Sequence, residues 1–315
     1  MLIETNYRTA GVIAAGKKKI RNQQAHSLLQ IGSISAIKRI VLTFQVAGID
    51  PIVIITGYDA DYIERELWDY GAIFLHKENY EQSQLFHLAQ MGLEFVQDKC
   101  DKVMFTPVDI PLFSPDTLKK MMDCPDEVVS PSYQDKGGHP ILIASRLIPD
   151  ILAYDGDMGM RGALKKLGIQ KKRIKVDDEG ILKDIDSLEH TSELIKRHNK
   201  NIFHPYLKVS LETENLFFDA RTRLLLTLIQ ETNSVKGACK CMALSYSKAW
   251  KMLNSLEKAL QFQVLTRQQG GSHGGKTYLT PEGEELLKDY ELFEKKLKLY
   301  AAKEFKNIFI DKKSL

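Results

Sequence analysis

Over the first two-thirds of this chain, short apolar runs of strand length alternate with longer stretches whose apolar residues recur every three or four positions. Thr9 to Ala14, Pro51 to Thr56, Gly71 to Leu75 and Val103 to Pro107 are such runs, and helix-like stretches lie between them at 33–47, 59–70 and 83–96. Strands that are apolar on both faces belong to a parallel sheet covered by helices. Ile34, Ile37, Ile40, Val41 and Phe44 give the first helix one apolar face. Ser114 is placed to cap a helix that reaches Met122, and 128–131 and 140–143 read as further strands.

The run Val103-Met104-Phe105-Thr106-Pro107-Val108 ends in Asp109-Ile110-Pro111. A carboxylate there sits at the carboxyl edge of a buried central strand, where open α/β sheets bind ligands. Held in a turn stiffened by proline, it suits a divalent cation that neutralises phosphate oxygens. A surface aspartate opening a turn is the plainer reading of the same residues. Upstream, the first strand runs into Ala14-Ala15-Gly16 and then Lys17-Lys18-Lys19-Ile20-Arg21. A glycine at that turn lets backbone amides approach a phosphate, and the cations after it can complete the cradle.

At 315 residues the chain exceeds one ordinary core, so two domains are expected. No apolar run approaches the length of a membrane helix, and residues 1–8 lack a basic stretch leading into an apolar one, so no membrane is expected as a partner and the expected compartment is the cytoplasm. Four cysteines do not make a disulfide scaffold, and Cys239 and Cys241, two apart on a predicted helix, point to different sides.

Five short motifs stand in order: Ala14-Ala15-Gly16; Val108-Asp109-Ile110-Pro111; Gly137-Gly138-His139-Pro140; Gly156-Asp157-Met158-Gly159-Met160-Arg161; and Asp184-Ile185-Asp186-Ser187. In order and approximate spacing they resemble the MobA/MocA-like nucleotidyltransferases of molybdenum-cofactor maturation, over roughly the first two-thirds of the chain. The resemblance implies a Rossmann-like nucleotidyltransferase sheet with helices on both faces. It also implies CTP or GTP as the nucleotide, Mg²⁺, and attack on the α-phosphate by a molybdopterin-type acceptor with loss of pyrophosphate. Asp109 and Asp186 would be the catalytic carboxylates and hold the metal. Ala14, Ala15, Gly16, Lys17, Lys19 and Arg21 would bind the nucleotide, and Gly138, His139, Pro140, Asp157 and Arg161 would line the acceptor pocket. Read without the resemblance, His139 is a turn histidine before a proline, and Asp186 caps a helix from Leu188 to His198.

The first loop departs from the family pattern. Aligned with a one-residue insertion, Arg21 stands for the family's arginine, Asn22 and Gln23 replace its Met-Gly pair, and His26 replaces its phosphate-contacting lysine. Val108 takes the place of a glycine before the metal aspartate. A second reading follows: a transcription regulator whose front domain keeps only the binding of a nucleotide or pterin ligand.

The polar run 196–201, followed by His204-Pro205, marks a linker, which gives domains at 1–200 and 208–315. Asp219 is placed to cap a helix that buries Leu224, Leu225, Leu228 and Ile229. Two short helices then follow, 234–242 and 245–259, joined by Ala243-Leu244 at helix-turn-helix spacing. Val235, Ala238, Met242, Leu244, Ala249, Leu253 and Leu256 face inward. Ser245, Tyr246, Ser247, Lys248 and Lys251 are left to meet a major groove. Two short strands after them, with Arg267 in the first and Lys276 opening the second, form a wing suited to backbone contact. Between Ser234 and Lys276 stand seven cations and one acid, Glu257, which suits a polyanion such as DNA.

Leu244-Ser245-Tyr246-Ser247-Lys248-Ala249-Trp250, Arg267, Gly270-Gly271-Ser272-His273-Gly274-Gly275 and Leu279-Thr280-Pro281-Glu282-Gly283 resemble the winged helix of LysR-type regulators, most closely that of the molybdate-responsive regulator. An α+β winged helix-turn-helix domain that binds DNA is thereby implied, with Trp250 in its core. Leu286, Tyr290, Phe293, Leu297 and Tyr300 repeat at four-three spacing, the seam of a coiled coil, so a homodimer through a long terminal helix is expected.

Overall fold

The computed structural model describes residues 8–16, 20–21, 24–188, 191–268 and 276–311. The chain divides into two compact units, Met1–Phe203 and His204–Leu315.

The first unit is built on one mixed sheet. Its central strands are β1 (Thr9–Ala14), β2 (Ile52–Thr56), β3 (Ile73–His76) and β4 (Lys102–Pro107), all parallel, in the order β3-β2-β1-β4. Every residue of β1, β2 and β4 is buried, which is why these runs carry no polar alternation. Beyond β4 the parallel pattern stops. Strand β5 (Val128–Tyr133) continues through the short β6 (Lys136–Gly137) into β7 (Ile141–Ala144), which inserts antiparallel between β4 and β5. The edge strand β8 (Lys172–Lys175) then runs parallel to β5. The expectation of a parallel sheet therefore holds for four strands and fails for the β5–β7 meander, which reverses direction through tight turns at Gln134 and Asp135, both with positive φ.

Helices α1 (Ala36–Ala47), α2 (Ala60–Leu67), α3 (Leu85–Val96) and α4 (Pro115–Met122) accompany these strands. Helix α1 begins later than its apolar pattern suggests, because a hairpin of Gln30–Ile31 with Ile34–Ser35 precedes it, and the Ser35 hydroxyl then accepts from the Lys38 amide as its cap. Ser114 caps α4 through the Thr117 amide, as its position predicts. Two short helices, α5 (Ile148–Leu152) and α6 (Gly159–Lys166), lead into β8. The last helix of the unit, α7 (Ser192–Asn201), starts at Ser192, so Asp186 is not its cap.

Helix α7 is tied to α1 by a buried polar cluster. The fully buried Arg39 donates to the Ile31 carbonyl at 2.8 Å and to Asn199 Oδ1 at 2.8 Å, and lies 3.2 Å from His198 Nδ1. Burial lowers the Arg39 guanidinium to about 10, which leaves it charged at neutral pH. Burial, followed by that neighbouring charge, pushes His198 down to about 3. His198 is therefore a neutral partner, although its polar stretch of sequence reads as a solvated helix end.

The second unit opens with a hairpin, β9 (Ser210–Glu212) and β10 (Leu216–Asp219), and three helices follow: α8 (Ala220–Thr232), α9 (Val235–Cys241) and α10 (Tyr246–Leu260). Asp219 caps α8 by accepting from the Thr222 amide at 2.8 Å. A two-stranded wing, β11 (Leu265–Gln268) and β12 (Lys276–Leu279), precedes α11 (Pro281–Phe305). All the inward-facing residues expected of the two short helices are buried. Trp250 departs from expectation: it is half-buried rather than core, with the Arg267 guanidinium 4.0 Å from its ring centre and Tyr246 edge-on at 5.9 Å.

The terminal seam is split. Tyr290 packs into its own unit, with its ring 4.5 Å from that of Phe218 and its hydroxyl donating to the Val209 carbonyl at 2.7 Å, and burial pushes that hydroxyl up to about 12. Further along α11, Phe293 and Tyr300 stand exposed, together with Leu292 and Leu299. Among the described residues no helix is long and apolar enough to cross a membrane.

Candidate functional site

Parallel strands end together, so the loops after β1 and β4 meet at one edge of the sheet. The Val108 amide donates to the Ala14 carbonyl at 3.1 Å, which brings the Ala14-Ala15-Gly16 turn beside the Asp109 turn. The same turn also abuts the loop after β2, where a side chain at Gly57 would lie 2.4 Å from the Gly16 carbonyl. Lys17 and Lys19 lie outside the described residues, and Arg21 is described only through its backbone pairing with Gln24.

Asp109 and Asp186 come from distant parts of the chain, and one side chain joins them. The Ile185 amide donates to the Asp109 carbonyl at 2.8 Å and so docks the 184–187 turn on the strand edge. Within that turn Asp184 accepts from the Asp186 amide at 2.9 Å, leaving the Asp186 carboxylate to project. His26, almost fully buried, lies between the two acids: Nδ1 is 3.1 Å from Asp109 Oδ1 and Nε2 is 3.3 Å from Asp186 Oδ1. The Asp109 side chain is 15% exposed and that of Asp186 64%, so one acid is sheltered and the other faces solvent.

This donor set suits a hard divalent cation. Mg²⁺ is usually held by one or two carboxylates and completes its shell with water and substrate phosphates. Accordingly, no three His, Cys, Asp or Glu side chains converge into a ready-made metal cage among the described residues.

Gly138-His139-Pro140 borders the same region. A Cβ at Gly138 would fall 2.3 Å from the Ile181 carbonyl, to which the His139 amide donates at 3.1 Å, so only glycine fits at this crossing. His139 Nδ1 is buried without a hydrogen-bond partner among the described residues. Burial and then Lys171 push the imidazole down to about 4, against an opposing pull from Asp109, so His139 is neutral at physiological pH. Asp157 and Arg161 are exposed around the start of α6. Lys171 lies close to Arg161 and Arg173, and burial followed by these two like charges lowers its pKa. Three cations so placed favour an anionic guest. Lys171 and Arg173 escaped the sequence reading because a charged edge strand is also an ordinary defence against strand pairing.

Two acids that read as surface residues prove structural. Asp178 accepts from the Ser114 amide, the Thr117 hydroxyl and the Gly180 amide at 2.8, 2.6 and 3.1 Å, fastening the approach to the 184–187 turn onto α4. Glu257, the single acid of the basic segment, accepts from the Val264 and Leu265 amides at 2.9 and 3.3 Å and anchors the wing. An open depression of about 510 Å³ beside β3 and α3, lined by His76 and His87 among others, includes neither Asp109 nor Asp186.

In the second unit the candidate DNA contacts lie on the exposed side of α10 and on the wing. Ser245 caps α10 by accepting from the Lys248 amide at 3.3 Å, while Tyr246, Ser247, Lys248 and Lys251 face solvent. Arg267 and Lys276 are exposed on β11 and β12, and the wing tip at 269–275 lies outside the described residues.

Residues 10–172 match the family model of the MobA-like NTP transferase domain. The chain belongs to that family. Among solved structures it resembles a nucleotidyl transferase from Methanothermobacter thermautotroptrophicus, at 17% identity and a TM-score of 0.52 over 61% of this chain and 98% of that one. A Mycobacterium tuberculosis protein is similar at 18% identity and a TM-score of 0.51, over 60% and 97% of the two chains. These likenesses agree on the fold. The carboxyl-terminal part matches curated regulators. It is 39% identical over 80 residues to the transcriptional regulator ModE of Haemophilus influenzae, covering 25% of this chain and 31% of that one. It is also 35% identical over 86 residues to the molybdenum-pterin-binding protein MopB of Rhodobacter capsulatus, covering 27% and 32%. The chain thus spans about a third of the length of these curated relatives.

Proposed function

We propose that this member of the MobA-like NTP transferase family transfers CMP or GMP from CTP or GTP to a molybdopterin-type acceptor, and that its second unit binds DNA. The observation that carries the reading is the convergence of Asp109 and Asp186 on His26 at the carboxyl edge of the central strand.

The turn Ala14-Ala15-Gly16 approaches the nucleotide closely enough for backbone contact, and the 17–21 segment supplies positive charge to its phosphates. Asp109 and Asp186 supply the negative charge that recruits Mg²⁺, which when bound neutralises phosphate oxygens and lets an anionic nucleophile approach the α-phosphorus. An acceptor phosphate oxygen then forms the new bond to the α-phosphorus as the α–β bridging bond breaks, and pyrophosphate leaves. Arg161, with Lys171 and Arg173 beside it, offsets the charge of a phosphate-bearing acceptor, and Asp157 borders the same loop. His139, neutral and lacking a partner at Nδ1, can donate to or accept from the acceptor without changing the charge of the pocket. Gly138 and Pro140 hold it against the Ile181 carbonyl.

On the second unit, Ser245, Tyr246, Ser247, Lys248 and Lys251 meet the major groove while Arg267 and Lys276 contact the backbone. The exposed Phe293 and Tyr300 of α11 face a second copy in a homodimer. The similarity to regulators named for molybdenum supports a role in controlling genes of the same chemistry.

A pyrophosphate-release assay tests the transfer. Release is expected with Mg²⁺, molybdopterin and one of CTP or GTP, and is expected to vanish in Asp109→Asn. Absence of release with either nucleotide, from protein that still binds it, would leave the first unit as a ligand sensor for the DNA-binding unit.

A further inference from the structure

The contacts of His26 point to a third member of the cation site. The imidazole side chain is 5% exposed, so both ring nitrogens must be satisfied from within the protein or by a bound group. Nδ1 stands 3.1 Å from Asp109 Oδ1, and since an ionised carboxylate only accepts, this nitrogen carries the hydrogen. In a neutral imidazole the lone pair is then on Nε2, which faces Asp186 Oδ1 at 3.3 Å. Two acceptors at that distance repel unless a positive charge lies between them.

A metal ion fits this spacing. Ligand atoms each about 2.0–2.2 Å from one ion, and roughly at right angles, stand about 3 Å apart. The arrangement on the far nitrogen is also the one that metal-binding histidines use, in which a carboxylate fixes the tautomer and the ring's orientation. We propose that His26 Nε2 and Asp186 Oδ1 are ligands of the same divalent cation, with Asp109 orienting the imidazole through Nδ1. The proposal rests on the nucleotidyltransferase reading of this site and extends it to the choice of metal. An imidazole ligand is softer than the oxygens that Mg²⁺ requires, so the site prefers Mn²⁺ or another transition ion to Mg²⁺. The exposure of Asp186 leaves the remaining coordination positions open to water and to the phosphates of a bound nucleotide.

The test is Mn²⁺ titration of the full chain with CTP and with GTP, followed by pulsed electron paramagnetic resonance. The expected result is a nitrogen hyperfine coupling from one histidine in the wild-type protein, absent in His26→Gln. Mn²⁺ affinity should fall about tenfold or more in that variant, as it does when such ligand shells are disturbed, while Mg²⁺ affinity changes far less. Mn²⁺ bound without nitrogen coupling would overturn the role of His26 and leave the nucleotide reading standing; it would mean that a protonated imidazole bridges the two acids. If the wild-type protein binds neither Mn²⁺ nor Mg²⁺ with either nucleotide, the nucleotidyltransferase reading itself fails. Should His26→Gln not fold, the wild-type spectrum alone decides.

Discussion

The two units assemble their candidate chemistry in opposite ways. In the first, Ala14, His26, Asp109, His139 and Asp186 come from five separate segments, and the sheet edge with its docked 184–187 turn gathers them. In the second, Ser245, Tyr246, Ser247, Lys248 and Lys251 occupy one turn and a half of α10, and a hydroxyl cap sets their direction. A site gathered from distant loops fails when any crossing between loops is disturbed. A site carried on one helix survives most changes outside it.

Gly138→Ala should break that contrast most forcefully. The added methyl meets the Ile181 carbonyl, and overpacking of this kind costs about 1–3 kcal/mol. Nucleotide binding and the first unit's melting should both suffer, whereas DNA affinity should not change. Equal loss of both functions would show that the units are not separable. Glu257→Ala is the counterpart in the second unit. It removes the acceptor of two wing amides, at a cost of about 1.5–3 kcal/mol, and should weaken DNA binding while nucleotide titrations stay the same.

A pH series sharpens the comparison. His198 holds its proton only below about 3 when folded, against about 6.5 when unfolded, so the unfolded chain takes up the proton first as the pH falls. Stability from this group is complete above pH 6.5 and is lost towards pH 3, by up to about 1.4 kcal/mol per unit. His139, pushed down to about 4, acts in the same sense. Denaturant midpoints of the first unit should fall between pH 7 and 5 more steeply in the wild-type protein than in His198→Asn, while the second unit's transition moves less. Equal slopes in wild type and variant would exclude His198 as the cause. The smallest change is expected from Lys248→Ala, which should flatten the dependence of log affinity on log salt by about one if the ammonium meets a phosphate. An unchanged slope would remove Lys248 from the interface.

Legibility in the sequence followed the same division. Strands β1, β2 and β4 were readable because burial on both faces leaves continuous apolar runs, and the caps Ser114, Asp219 and Ser234 because their effect is local. Strand β8 was not, since Lys-Arg-Ile-Lys on an open edge carries no signal of burial. The antiparallel insertion of β7 is likewise a matter of tertiary pairing, which no local pattern encodes. At the candidate site, Asp109 stood out by its place after a buried strand. His26 registered only as a departure from a family pattern, because its meaning lies in contacts to residues 83 and 160 positions away. Asp178 and Glu257 show the converse: acids that read as solvated charges are held by backbone amides, and only the fold reveals those donors.

The central claim is that the Asp109 edge is a working metal–nucleotide site. Its most direct test is calorimetric titration of the full chain with CTP and with GTP, each with Mg²⁺ and with Mn²⁺, repeated on Asp109→Asn. The account predicts saturable binding of at least one nucleotide that requires the cation and disappears in the variant, with the fold of both units intact. Binding that is indifferent to the cation and unchanged by Asp109→Asn would contradict it.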